Sequence, residues 1–80
     1  MAEYQINKTL DCSGLLCPLP VVKTKKALKD LNVGDILEMI STDPGSIPDM
    51  HAWANQTRHE LLAATDEGNS RFRFIVKKTH

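Results

Sequence analysis

The sequence predicts an α+β fold: a two-layer α/β sandwich of order β-α-β-α-β-β, with two helices on one face of a four-stranded mixed sheet. Three observations predict it. Apolar residues recur at helical spacing in two segments, residues 18–31 and 46–57. The stretches around them are either continuously apolar or alternate with period two, as strands do. Turn formers punctuate the junctions: Asn32 with Gly34, Asp43-Pro44-Gly45, and Glu67-Gly68-Asn69.

Residues 4–10 (YQINKTL) alternate, with Tyr4, Ile6 and Leu10 on one side, and predict the first strand. Residues 11–17 (DCSGLLC) read as a loop that turns at Gly14. Pro18 and Pro20 open a helix running to about Leu31, buried along Val21, Thr24, Ala27, Leu28 and Leu31. Residues 35–42 (DILEMIST) are almost continuously apolar and predict a central strand. Ser46, with Asp49 three residues on, fits a capping arrangement for the second helix, whose stripe is Ile47, Met50, Trp53, Ala54 and Thr57. Residues 60–66 and 71–78 predict a closing hairpin. In its last strand Phe72, Phe74 and Val76 point one way, and Arg71, Arg73, Ile75 and Lys77 point to the open face. A helix separates the first two strands, so they can run parallel, while the hairpin is antiparallel.

The 80 residues suit one domain, 1–80. Ten basic residues balance ten acidic ones, which disfavours a nucleic-acid partner held by overall charge. Residues 1–9 lack the basic start and apolar run of a signal peptide, and no stretch is apolar enough to span a bilayer. The expectation is a cytoplasmic protein with no membrane partner and with reduced thiols.

The chemistry centres on Cys17-Pro18-Leu19-Pro20. A cysteine at or beside a helix N-cap meets the positive end of the helix dipole, which lowers its pKa and makes it nucleophilic. The prolines remove two of the backbone donors there and leave the N–H groups of Cys17 and Leu19. They serve instead to hold the sulfur on a stiff corner. The same residues also fit an inert, buried cysteine. Lys23, Lys26 and Lys29 lie on the helix face away from the apolar stripe, with Val22 among them and Leu19 nearby. They fit either a solvated basic face or a docking patch of Leu19, Val22, Lys23 and Lys26 for an acidic partner. Cys12 reads as a small hydrophobe at a strand end, and its spacing from Cys17 matches no C-x-x-C motif. Cys12, Cys17, His51, His59 and His80 lack the paired spacing of a zinc site, so no metal is expected.

The segment LDCSGLLCPLPVVKTKKAL, residues 10–28, resembles the TusA/SirA/YedF-like sulfur-carrier family, the TusA type above all. That family's mark is C-P-x-P after an L-D-x-x-G-L-x-C-P lead-in. Leu10, Asp11, Gly14, Leu15, Cys17, Pro18 and Pro20 stand in those places. T-D-P-G-S at 42–46 and H-E-L-L at 59–62 extend the resemblance along the chain. It implies the same two-layer sandwich, and it implies that Cys17 carries sulfur as a persulfide without any cofactor. Asp11, Gly14, Pro18 and Pro20 would shape the motif. It further implies a cysteine desulfurase or rhodanese-like donor and a DsrE-type acceptor, in tRNA thiolation, sulfur oxidation or related traffic. Such a chain is a sulfurtransferase-type carrier with little turnover alone. One departure is Arg58, where relatives often carry the glycine that closes the second helix in a left-handed conformation.

Two other readings remain at this level. The basic face of the last strand could bind RNA or protein, with Cys17 incidental, although that face has no aromatic to stack a base. Cys12 and Cys17 could form a redox switch.

Overall fold

A computed structural model describes residues 5–80. The elements run β1 (Lys8–Cys12), α1 (Leu19–Lys29), β2 (Ile36–Ser41), α2 (Ser46–Thr57), β3 (Glu60–Asp66) and β4 (Phe72–Lys77). The strands form one sheet in the order β1-β2-β4-β3. β1 pairs parallel to β2, and β4 pairs antiparallel to both β2 and β3. This is the α+β sandwich that the periodicities predict.

Alternation builds the buried layer. Leu37 and Met39 of β2 and Phe74 and Val76 of β4 are fully buried. They pack with Leu28 of α1 and with Met50 and Trp53 of α2. Burying such side chains contributes roughly 1.5–3 kcal/mol each. Thr24 is tolerated in this core because its hydroxyl donates to the Pro20 carbonyl at 2.7 Å. Lys78 closes the far end of α1 by donating to the carbonyls of Leu28 and Leu31 at 2.8 and 2.7 Å.

Four expectations need correction. The first strand was expected over residues 4–10, but β1 is Lys8–Cys12. Asp11 and Cys12 pair with Ile40 and Ser41, and Cys12 is fully buried. Before the strand, Asn7 holds Ile36 with both its backbone N–H and its side-chain oxygen, each at 2.8 Å. Tyr4 lies outside the described residues. α1 ends at Lys29 rather than about Leu31, although Leu31 still packs on the core. α2 lacks the expected capping pair, since no side chain caps its N-terminus. The Ser46 hydroxyl is buried against that of Ser41 at 2.6 Å, and Asp49 turns to another partner.

The fourth correction concerns the sheet face away from the helices, where Ile75 is fully buried, not exposed. In register, Glu38 sits opposite Ile75 and Ile40 opposite Arg73. The diagonal Arg73–Glu38 ion pair, 2.5 Å, lies beside the two isoleucines on this face. Arg71 is paired with Glu67 at 2.9 Å.

Candidate functional site: the Cys17 loop

The loop between β1 and α1 is stiffened from within and from β2. The Asp11 carboxylate accepts from the backbone and hydroxyl of Ser13 at 2.9 and 2.6 Å. These bonds hold its pKa below the usual carboxylate range. Leu15 N–H closes a turn onto the Cys12 carbonyl at 3.1 Å, with Gly14 at φ +78°.

The turn after β2 then grips the loop twice. Gly14 N–H donates to the Thr42 hydroxyl at 2.8 Å, and Cys17 N–H donates to Asp43 Oδ2 at 2.7 Å. The other Asp43 oxygen accepts from Gly45 N–H at 3.0 Å, an Asx turn that fixes the carboxylate. The T-D-P-G-S segment is thus the clamp on the Cys17 backbone as well as a turn.

Cys17 itself is exposed and free, while Cys12 is buried and free. The Cys17–Pro18 peptide is cis, and α1 begins at Leu19 with Pro18 as its N-cap. The Cys17 thiol donates to Asp49 Oδ2, from the first turn of α2. Leu16, Leu19 and Val22, near Cys17 in the chain, stand 71%, 45% and 44% exposed.

The electrostatics reverse the dipole expectation. Asp49, accepting the thiol hydrogen bond, pushes Cys17 above the usual thiol range; partial desolvation and the charges of Asp49 and Asp43 add to this. The reason is tertiary. The two donors expected to favour a thiolate are taken: Cys17 N–H by Asp43, and Leu19 N–H by the Leu16 carbonyl at 2.9 Å. What faces the sulfur is a carboxylate from α2. The Asp49 contact favours the protonated thiol.

The residues expected to work together are divided by α1. Cys17, Pro18, Val21, Asp49, Ala52, Trp53 and Gln56 share one open cleft of about 260 Å³. Lys23 and Lys26 line a different one with Lys8, Leu10, Ala27 and Asp30. Pro20 is buried beneath the helix start. Sequence reasoning missed Asp43, Asp49 and Leu16. Asp49 carried a signal, an acid one turn into a helix, but it read as a cap.

An accessible thiol on a clamped corner, beside an open cleft, suits a protein that receives a group on sulfur and passes it to another protein. The chain belongs to the sulfurtransferase TusA family, which matches residues 8–78. It is 44% identical over 79 residues to the sulfur carrier protein TusA of Allochromatium vinosum, covering 99% of this chain and all of that one. A Halobacterium salinarum protein is 46% identical over 78 residues, covering 98% of this chain and 96% of its own length. The crystal structure of a SirA-like protein from Desulfitobacterium hafniense has the same fold, with a TM-score of 0.79 over 91% of this chain and 99% of that one, at 22% identity. At the level of the family, the function is sulfur carriage.

Proposed function

We propose that Cys17 is the sulfur-bearing residue and that it relays sulfane sulfur between two partner proteins. The observation that carries this reading is the exposed Cys17 thiol, its backbone clamped by Asp43 and its sulfur held by Asp49.

In the first step the Cys17 proton leaves to solvent or to a base on the donor, and the thiolate attacks the outer sulfur of the donor persulfide. A new S–S bond forms as the donor's S–S bond breaks. The donor cysteine departs as a thiolate and is protonated, and Cys17 becomes a persulfide. In the second step an acceptor thiolate attacks the outer sulfur, and Cys17 leaves as a thiolate that regains its proton. No external oxidant or reductant is consumed. The donor fits a cysteine desulfurase or rhodanese-like protein, and the acceptor a DsrE-type protein. Leu16, Leu19 and Val22 provide the apolar contact at the transfer point.

The carboxylate beside the sulfur gives this relay a resting state. A protonated Cys17 is a poor nucleophile toward stray disulfides and oxidants, because the thiolate is the reactive form. Release of the Asp49 contact on docking would free it to react. Against the RNA reading, two of the cations it rests on, Arg71 and Arg73, are ion-paired within the chain. The redox-switch reading has a buried Cys12 against it.

The test is a complete transfer. Isotopically labelled cysteine and a cysteine desulfurase load the chain, which is then repurified and mixed with a DsrE-type acceptor. The expected result is label leaving this chain and appearing on the acceptor's cysteine, with Cys17→Ser blocking both steps. Label reaching the acceptor equally well through Cys17→Ser would overturn the proposal.

A further inference from the structure

A third cavity, about 330 Å³, lies between the C-terminal halves of the helices. Lys25, Leu28, Lys29, Trp53, Thr57, His59, Lys78 and His80 line it, and no Asp or Glu side chain is among them. It adjoins the Cys17 cleft, because Trp53 lines both. Along α1 and its N-cap the two linings read Pro18, Val21, Lys25, Leu28 and Lys29, which is one face of a helix. Along α2 they read Asp49, Ala52, Trp53, Gln56 and Thr57, again one face. The two cavities thus follow one another along the α1–α2 crease, with Cys17 at one end and a cluster of cations at the other.

No Asp or Glu side chain among the described residues pairs with that cluster. Among the described residues neither Lys25 nor Lys29 takes part in an ion pair. Lys78 is held by carbonyls, not by an acid. His59 stacks between Trp53 and His80, with ring centroids 5.7 and 4.3 Å away. Burial, with the nearby charges of His80 and Lys78, keeps it below the usual histidine range. The floor is apolar, formed by Leu28 and Trp53, and the Trp53 indole N–H has no acceptor among the described residues.

We propose that this groove seats an extended acidic segment of a partner protein, with the partner's reactive cysteine at Cys17 and its carboxylates among Lys25, Lys29 and Lys78. The inference deepens the Cys17 carrier reading and rests on it. The geometry sets a ruler. From Pro18 to Lys29 the helix rises roughly 16 Å, which an extended chain covers in about five residues. The partner segment therefore carries its acidic residues about five positions from its cysteine. Charge complementarity selects this occupant, and it moves the docking cations from Lys23 and Lys26 to the lysines on the Cys17 side of the helix.

The experiment separates binding from chemistry by using Cys17→Ser and reading Trp53, the chain's single tryptophan. The probes are blocked peptides with a serine at one end, an alanine spacer and three glutamates at the other, made in both chain directions. Controls carry glutamine for glutamate, or glutamates adjacent to the serine. The expected result is a saturable Trp53 fluorescence change with one direction of the acidic probe, weakened about tenfold or more in the controls and in Lys25→Glu/Lys29→Glu. Lys23→Glu/Lys26→Glu should bind as the parent does. No saturation by either acidic probe, equal weakening by the Lys23 and Lys26 changes, or saturation only by inorganic phosphate or an RNA oligonucleotide would overturn it. Loading of Cys17 from inorganic polysulfide needs no groove, so its failure would sink the carrier reading without touching the peptide result.

Discussion

Cys12 and Cys17 sit on either side of one short loop, and both thiols are shifted upward, for different reasons. Cys12 is raised chiefly by burial, at the end of β1 beneath the helices. Cys17 is exposed and is raised chiefly by its hydrogen bond to Asp49. A thiol silenced by burial reacts only when the core opens, because its solvation is a property of the whole fold. A thiol silenced by one carboxylate is released when that single contact is broken. The fold therefore keeps two quiet cysteines and leaves one of them poised.

The comparison can be broken most sharply by alkylation. In the folded protein iodoacetamide should modify Cys17 and leave Cys12 untouched, while in denaturant both react; mass mapping of the two peptides reads this. Asp49→Asn should then separate the two causes. Removing the carboxylate lowers the Cys17 pKa, so its alkylation at neutral pH rises several-fold and its pH–rate curve moves to lower pH. Cys12 protection should not change. The linkage has a definite sign. Both folded-state thiol pKa values are raised, so their contribution to stability is complete below the ordinary thiol range and falls away as pH rises through it and beyond. An alkylation rate at Cys17 that ignores Asp49→Asn would remove the resting-state argument.

The smallest effect lies away from both cysteines. Arg58 closes α2 at φ +67°, a left-handed conformation that favours glycine, and its N–H still reaches the Ala54 carbonyl at 2.9 Å. Arg58→Gly should stabilise the fold by about 1 kcal/mol, because a side chain resists this conformation and glycine does not. For a domain of this size that corresponds to a rise in Tm of roughly 4–8 °C. Cys17 alkylation should stay at the parent rate, which makes this change a control for global loosening.

Much of this fold was legible because its signals are local. The stripe of Met50, Trp53 and Ala54, the alternation of Phe72, Phe74 and Val76, and the Gly68 turn each state their own conformation. The end of β1 was not legible, since Asp11 is polar and Cys12 small, and only pairing with Ile40 and Ser41 makes them strand. The burial of Ile75 was hidden for a similar reason, because its neighbours come from β2 and β3 on either side. In the candidate site, the sequence motif marked Cys17 and its prolines. The charge environment was beyond it, because Asp43 and Asp49 arrive from 26 and 32 residues away. A helix-dipole argument sees only the residues that follow the cysteine, and here a neighbouring helix decides the sign.

The most direct measurement is the intact mass and peptide map of the chain after incubation with a cysteine desulfurase and cysteine. The account predicts a gain of one sulfur atom on the peptide holding Cys17, retained in Cys12→Ser and absent in Cys17→Ser. A gain that persists in Cys17→Ser, or no gain with the desulfurase, a rhodanese-type donor and polysulfide alike, would contradict the assignment of sulfur to Cys17.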